Sequence, residues 1–346
     1  MGVDIKELVE PIAREVDLEF FSKKVIAIDA YNILYQFLAT IRQKDGTPLM
    51  DAQGNITSHL NGLFYRTINF IEAGIKPVYV FDGKPPELKQ RELERRLLVK
   101  AEAEQKYREA LQRGDLEEAR IYAQQTSRLT SSMVEDAKQL LQYMGVPYVD
   151  APSEGEAQAA HLAKRGDAWA SGSQDFDSLL FGSPRLVRNL GVTGKRKLPR
   201  KDVYVEVKPE VIELEDLLRT HGITSQQLII IGVLVGTDYA PEGAKGIGVK
   251  KALKLVKDLK DPEKIFKAVE WTSNVPPEKI LQLFLKPEVT DSYTLTWREP
   301  DKEKIISLLV DKHQFSPERV NNALERLEKA YKTHFRQQSL ETWFGF

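Results

Sequence analysis

The residues best suited to chemistry in this chain are acids placed just past short apolar runs. Asp29 closes the run 24–29 and Asp82 closes the run 76–82. Glu154 and Glu156 stand where a helical stretch begins, and Asp175 and Asp177 follow the apolar run 168–171. Asp238 comes after the Ile/Leu/Val-rich stretch 229–235. If the runs are parallel strands, their carboxyl ends share one sheet edge, the edge at which ligands bind in open α/β sheets. Each acid alone has a plainer reading. Ser153-x-x-Glu156 is the pattern of a helix capping box, Asp29 and Asp82 suit strand-end turns, and Asp175-x-Asp177 suits a helix start. As a set they are different, because carboxylates crowded on one edge repel and must take up protons or cations. Two divalent cations about 3.5–4 Å apart would make such a cluster a centre for in-line attack on phosphorus, that is, phosphodiester hydrolysis.

Composition narrows the cation. The chain has no cysteine, which excludes disulfides, zinc–thiolate sites and thiol nucleophiles. Only five histidines are present and none lies at ligand spacing, so oxygen donors and hence Mg²⁺, Mn²⁺ or Ca²⁺ are favoured. A length of 346 residues with 42% hydrophobic and 29% charged residues describes a soluble globular protein with room for a full core. No apolar run reaches membrane-spanning length. Residues 1–18 are acidic and lack a secretory apolar region, and Lys6 rules out a myristoylation signal.

The elements that must position the acids can be read in outline. Residues 24–29, 76–82, 146–150, 168–171 and 186–188 read as short strands, and residues 31–42, 57–73 and 133–144 as helices between them. This alternation predicts an α/β fold: a mainly parallel central sheet flanked by helices. Residues 85–127 are highly charged with a thin apolar stripe, which suits a solvated helical arm, broken at Gly114-Asp115. Residues 195–207 suit a basic hairpin. Beyond Glu213 the pattern is helical, with helices over 225–235 and after Gly248 and a loop near 287–300. We divide the chain into the regions 1–84, 85–132 (the charged arm), 133–212, 213–335 (the helical part) and 336–346 (the tail).

A net charge of −1 conceals basic stretches. Residues 185–201 carry seven basic residues and no acid, and residues 245–260 carry six lysines against Asp258 alone. Patches of this kind set a polyanion footprint where the total does not. Lys89 and Arg96, seven apart, share one helix face and would meet a phosphate beside Asp82. Gly246-x-Gly248-x-Lys250-Lys251 opens a helix with backbone N–H groups and lysines suited to phosphate. The tail carries Gln337, Leu340, Trp343 and Phe344, a spacing that makes one apolar helical turn suited to a partner's pocket.

With these motifs in place, the whole chain resembles the flap endonuclease family of structure-specific 5′ nucleases, close to the archaeal branch. The resemblance rests on the stretches 25–30, 57–62, 76–86, 150–157, 174–177, 236–239 and 246–248. It implies a PIN-like 5′-nuclease fold with a helical arch and a C-terminal helix–two-turn–helix. It implies a two-metal centre holding two Mg²⁺ ions, with Mn²⁺ as a substitute. Asp29, Asp82, Glu154 and Glu156 would serve mainly one ion, and Asp175, Asp177 and Asp238 mainly the other. Lys89 and Arg96 match the family's gateway basic pair, and Tyr35 matches an aromatic that stacks on the substrate. Arg42 and Thr57 lie where the family holds the 3′ flap. Gly236, Gly246, Gly248, Lys250 and Lys251 lie where it holds downstream duplex, with Glu154 and Asp238 also near DNA. The tail matches the sliding-clamp (PCNA) box.

The implied function is cleavage of 5′ flaps, with 5′–3′ exonuclease action, in Okazaki-fragment maturation and repair, by a monomer that engages branched DNA and the clamp but no membrane. The turn 239–246 is one residue longer than in eukaryotic members and has Gly243 where they carry Ser, which puts their monovalent-cation site in doubt here. With no basic nuclear-targeting tail, a cytoplasmic archaeal protein is expected. Three rivals stand beside this reading: a 5′ nuclease for bubbles, nicks or junctions, a metal-dependent RNA nuclease on a similar sheet, and a non-enzymatic DNA-structure scaffold.

Overall fold

The structure is a computed structural model that describes residues 2–43, 45–192, 194–197 and 204–336. Its centre is a seven-stranded sheet. In chain order the strands are β1 (Arg14–Glu15), β2 (Val25–Asp29), β3 (Lys76–Phe81), β4 (Tyr148–Asp150), β5 (Ala170–Gly172), β6 (Arg185–Arg188), β7 (Gly194–Lys197), β8 (Tyr204–Val207) and β9 (Glu210–Glu213). The sheet runs β1-β9-β6-β5-β2-β3-β4, and β7 and β8 form a separate hairpin. From β6 to β4 all pairings are parallel, and β9 closes that edge antiparallel to β6. The strands β1 and β9 were not foreseen; β1 has only two residues, too few to show a period-two pattern.

The chain leaves β2 to build β3 and β4 on one side and β5 and β6 on the other, so the order switches direction at β2. The strands are short and apolar because both sheet faces are covered. Ile26, Ile28, Tyr79 and Phe81 point into one core, shared with Leu34, Phe37, Phe64 and Ile68. These come from the helices Ala30–Thr40 and Ser58–Glu72. Ala27, Val78 and Val80 point the other way, to Ala159 and Leu162 of the helix Gly155–Arg165. An extended strap over residues 287–300 runs outside that helix and sets Tyr293, Leu295 and Trp297 against the same cluster. A further core gathers Leu180, Ile230, Leu234, Val256 and Phe284 around the helix Ser225–Val235.

The charged arm is two helices, Gln90–Gln112 and Leu116–Gln125, and the break falls at Gly114 as expected. Asp115 caps the second by accepting from the Glu118 N–H at 2.9 Å. Among the described residues no helix is long and apolar enough to cross a membrane. The clamp-box residues Gln337, Leu340, Trp343 and Phe344 lie outside the described residues.

Candidate active site

Register explains why acids far apart in sequence meet. Asp29 is the last residue of β2 and lies level with Val80. Phe81, just before Asp82, pairs with Asp150 at the end of β4, shortly before Glu154 and Glu156. Gly172 ends β5 level with Ile28, shortly before Asp175 and Asp177. Short hydrogen bonds then tie these loops together. The Gly155 N–H donates to Asp82 Oδ1 at 2.6 Å. Ser173 Oγ donates to Glu156 Oε1 at 2.7 Å. The Val3 N–H donates to Asp177 Oδ1 at 2.7 Å. Asp29 caps its own following helix, accepting from the Asn32 N–H at 3.0 Å.

The seventh acid, Asp238, comes from the turn after the helix Ser225–Val235. Lys89 binds it to the others: its Nζ lies 2.6 Å from Glu154 Oε1 and 3.0 Å from Asp238 Oδ2. Arg96 adds a bond from its guanidinium to Asp238 Oδ1 at 2.6 Å. Lys89 and Arg96 therefore do share a face, and that face looks onto the acids. Glu92, on the same charged arm, is buried. It accepts from Arg95 at 2.6 Å and from Arg96 at 2.9 Å, and so orients the pair. Burial would raise the Glu92 carboxyl, but bonds from Arg95 and Arg96 hold it below its usual range.

The electrostatics are those of a crowded anionic edge. Burial first, and then repulsion from Asp82, pushes Asp29 well above the usual carboxylate range. Asp82 is raised by burial, partly offset by the Gly155 N–H and Lys89. Glu156 is pushed well up by burial and then by Asp177, Asp175 and Asp29. Asp177 is raised to about 7 by burial, followed by Asp238 and Asp175. Asp238 goes the other way: burial raises it, yet Lys89 and Arg96 outweigh that and lower it. Lys89 is lowered by burial, but Glu154 and Asp238 more than restore it and hold it above its ordinary value.

As the side chains stand, no three acids or histidines among the described residues enclose an ion. Lys89 fills the gap between Glu154 and Asp238 instead. The donor set nevertheless suits hard cations, because it is all carboxylate oxygen and it is held in the charged form only at a cost that cations would remove.

The other anticipated residues fall into place unevenly. Tyr35 lies one turn beyond Asn32 on the helix Ala30–Thr40, and the Lys100 ammonium sits 4.7 Å from its ring centre. Arg42 is engaged within the protein, donating to the Leu38 and Gly46 carbonyls at 2.9 and 2.8 Å and to Ser127 Oγ at 2.9 Å. Thr57 is buried at the start of the helix Ser58–Glu72 and makes no side-chain cap. The Ser153 capping box does not form: Glu154 is the N-cap, without a side-chain cap bond, and Glu156 turns to Ser173. The plainer reading of Glu156 therefore fails. Gly236 and Gly246 have φ of 121° and 70°, and Gly248 precedes the helix Val249–Leu259. Lys250 and Lys251 are exposed at its start. Gly243 has φ 57°, and a Cβ there would come 2.4 Å from the Leu234 carbonyl oxygen, so Ser does not fit.

Sequence reasoning gave no role to Asn32, Ser173 or Tyr239, all of which touch site acids. Tyr239 donates its phenol to Glu154 Oε2. It stood inside a motif, but nothing local linked it to an acid 85 residues away. For Asn32 a signal existed, since it lies in the first helical turn after a strand-end acid.

Comparison with known proteins bears on this arrangement. The XPG N-terminal domain matches residues 1–103 and the XPG I-region matches residues 145–238. The chain is 83% identical to flap endonuclease 1 of Thermofilum pendens over the full length of both. A solved flap endonuclease-1 from Methanococcus jannaschii, 43% identical, superposes with a TM-score of 0.76 over 96% of this chain and 99% of that one. The catalytic core of Rad2 in complex with DNA substrate, at 23% identity and TM-score 0.70, shares the fold over 94% of this chain and 100% of that one. A sheet edge lined with acids, faced by a basic helix and carried on a chain this similar throughout, identifies the protein as a member of the flap endonuclease family, structure-specific nucleases that hydrolyse phosphodiester bonds.

Proposed function

We propose that the chain cuts 5′ flaps of branched DNA at the junction of single strand and duplex, with 5′–3′ exonuclease action at the same centre, using two divalent cations. Mg²⁺ is the natural ion and Mn²⁺ a substitute, because the donors are hard carboxylate oxygens. The observation that carries this reading is the gathering of Asp29, Asp82, Glu154, Glu156, Asp175, Asp177 and Asp238 at one edge, with mutual repulsion among them. Asp29, Asp82 and Glu154 would hold one ion, and Asp175, Asp177 and Asp238 the other. Glu156, expected mainly with the first group, is also raised by Asp177 and Asp175. Bound cations supply activation of the attacking water and charge stabilisation at the leaving oxygen.

The chain's own residues do the remainder. Once Glu154 and Asp238 are neutralised, Lys89 and Arg96 become available to the scissile phosphate and offset its developing charge. Glu92 keeps Arg96 aimed while this happens. Tyr35 presents its ring to the base beside the cut when Lys100 draws back. Arg42 and Thr57 border the 3′ flap. Gly236, Gly246, Gly248, Lys250 and Lys251 hold backbone phosphates of the downstream duplex without reading bases. The tail with Gln337, Leu340, Trp343 and Phe344 binds the sliding clamp, and the protein works as a monomer in an archaeal cytoplasm, in Okazaki-fragment maturation and repair.

Replacing one ligand tests the centre. Asp175→Ala should still bind a flap in Ca²⁺ and should lose cleavage in Mg²⁺. Turnover at the rate of the unaltered chain would overturn the assignment. Rates on flap, bubble and four-way junction DNA, compared side by side, test the choice of substrate; a preference for the junction would overturn it.

A further inference from the structure

Asn32 has no place in the scheme above, yet it touches acids from two strands. Its backbone N–H donates to Asp29 Oδ1 at 3.0 Å, at the end of β2. Its side chain reaches across to the loop after β5, where Nδ2 donates to Asp175 Oδ2 at 3.1 Å. The same carboxamide accepts from the Gln174 N–H through Oδ1 at 3.3 Å. These two contacts settle which way the amide faces. Its oxygen meets a backbone donor, so its NH₂ group must meet the carboxylate.

Asp175, like its neighbours, has a protein donor that steadies it. It lies in the bend between β5 and the short helix Asp177–Leu180, where its own N–H donates to Ser173 Oγ at 3.2 Å. Asp82, Glu156 and Asp177 are each steadied by a protein donor at 2.6, 2.7 and 2.7 Å. For Asp175 that donor is Asn32, and it is neutral. A lysine or arginine here would occupy the carboxylate as Lys89 occupies Glu154 and Asp238, and would compete with a cation for it. An apolar residue would let Asp175 swing away from Glu156 and Asp177, which repel it. The geometry points to Asn32 as the positioning residue that aims Asp175 into the cluster, holding one carboxylate oxygen and leaving the other for a cation without adding charge. This rests on the cation-binding role proposed above for the acids.

The test has to separate aiming from folding. Behind Asn32 is a cavity of about 10 Å³ lined also by Gln36, Ser173, Gln174 and Gly191, about the space one water needs. Truncation to Ala would let water replace the amide, so Asn32→Leu, close to Asn in size but without donors, is the informative variant. Mn²⁺ is titrated calorimetrically into the full chain without DNA. Asn32→Leu should weaken Mn²⁺ binding about tenfold, as loss of an outer-shell partner does. It should raise the Mg²⁺ concentration for half-maximal flap cleavage by a similar factor, with the rate recovering at saturating Mg²⁺. Flap affinity in Ca²⁺ and the melting temperature should stay near those of the unaltered chain. Asn32→Ala should fall between the two and serves if the Leu variant does not fold. Unchanged Mn²⁺ affinity in Asn32→Leu, beside normal binding by the unaltered chain, would overturn the role of Asn32 alone. Absence of Mn²⁺ binding by the unaltered chain would overturn the cation centre and this role with it.

Discussion

A carboxylate buried beside other carboxylates is stable only when protonated or neutralised by a cation, and this makes stability at the site depend on pH. Asp177 is raised to about 7, and Asp29, Asp82 and Glu156 are raised too, by burial before repulsion. In the unfolded chain these groups lose their protons near pH 4. Between that point and their folded values the native state holds more protons than the unfolded one. Stability of the metal-free protein therefore falls as pH rises through this window. Melting in EDTA should be higher at pH 5 than at pH 8, and Mg²⁺ should raise it far more at pH 8 than at pH 5. His59 opposes this on the acid side. Burial lowers it to about 4, so its contribution is lost as pH falls below about 6.5, where the unfolded imidazole takes up a proton. Among the described residues neither ring nitrogen of His59 has a hydrogen-bond partner. His59→Leu should thus leave stability at pH 7 equal or higher and reduce the loss near pH 5, measured by thermal melts. Gly155 is a further constraint at this scale. A Cβ there would lie 2.7 Å from Asp82 Oδ1 and 3.2 Å from the Val80 carbonyl oxygen. Gly155→Ala should cut the single-turnover rate roughly 10²-fold, the cost of displacing a reacting group by about 1 Å, while flap binding in Ca²⁺ persists.

Among the elements, the helix Gly155–Arg165 bears most on the site because Glu154 is its N-cap and its first turn carries Glu156. Its outer face is fastened to the strap 287–300 along its length. Gln158, fully buried, exchanges two bonds with Thr290, Nε2 to the carbonyl at 2.8 Å and the Thr290 N–H to Oε1 at 2.8 Å. His161 and Arg165 both meet Asp291, at 2.7 and 2.9 Å. Farther along, the Trp297 indole N–H donates to the Pro77 carbonyl at 3.0 Å. The strap thus does for one sheet face what a helix would do, using alternate residues of an extended chain. Gln158→Leu would leave both Thr290 groups unpaired and should cost about 2 kcal/mol, read from denaturant unfolding. His161→Ala should cost well under half of that, since its partner Asp291 is exposed and water can replace the lost bond.

Over the whole molecule, a near-neutral total divides into an acidic sheet edge and basic surfaces that would bring a polyanion to it. The helix Val249–Leu259 shows this division in small. Ala252 and Val256 are buried in the core around the helix Ser225–Val235, while Lys250, Lys251, Lys254 and Lys257 face solvent. Phosphate contacts of this kind release counterions and make binding depend steeply on salt. Replacing Lys250 and Lys251 together by Ala should reduce the slope of log K against log salt by about 1.8, two contacts at roughly 0.9 each. The rate at saturating flap DNA should be unchanged, because the partners of these lysines are Glu7 at 3.7 Å and the Gly246 carbonyl at 2.9 Å and not the acids of the sheet edge.

What the sequence determined by itself is local in character. Apolar runs ending in Asp29 and Asp82, the helix starting near Glu154, the break at Gly114 and the glycine turn at Gly246 each follow from a few neighbouring residues. Pattern and turn chemistry act over that range. The sheet class follows as well, since strands alternating with helices leave few topologies. The tertiary structure decided which local reading held wherever two competed. Ser153-x-x-Glu156 has the pattern of a cap, yet Glu156 faces Ser173 because β4 and β5 lie on opposite sides of the β2–β3 pair and their loops close over one edge. Glu92 lies in a stretch that reads as a solvated arm, yet it is buried and bonded to Arg95 and Arg96, the second of which reaches Asp238. Asn32 and Asp175 are 143 residues apart, and Arg96 and Asp238 are 142 apart. No propensity reaches that far. Contacts of that kind depend on strand order and on the packing of whole helices, which set where each loop ends and which donor each acid meets.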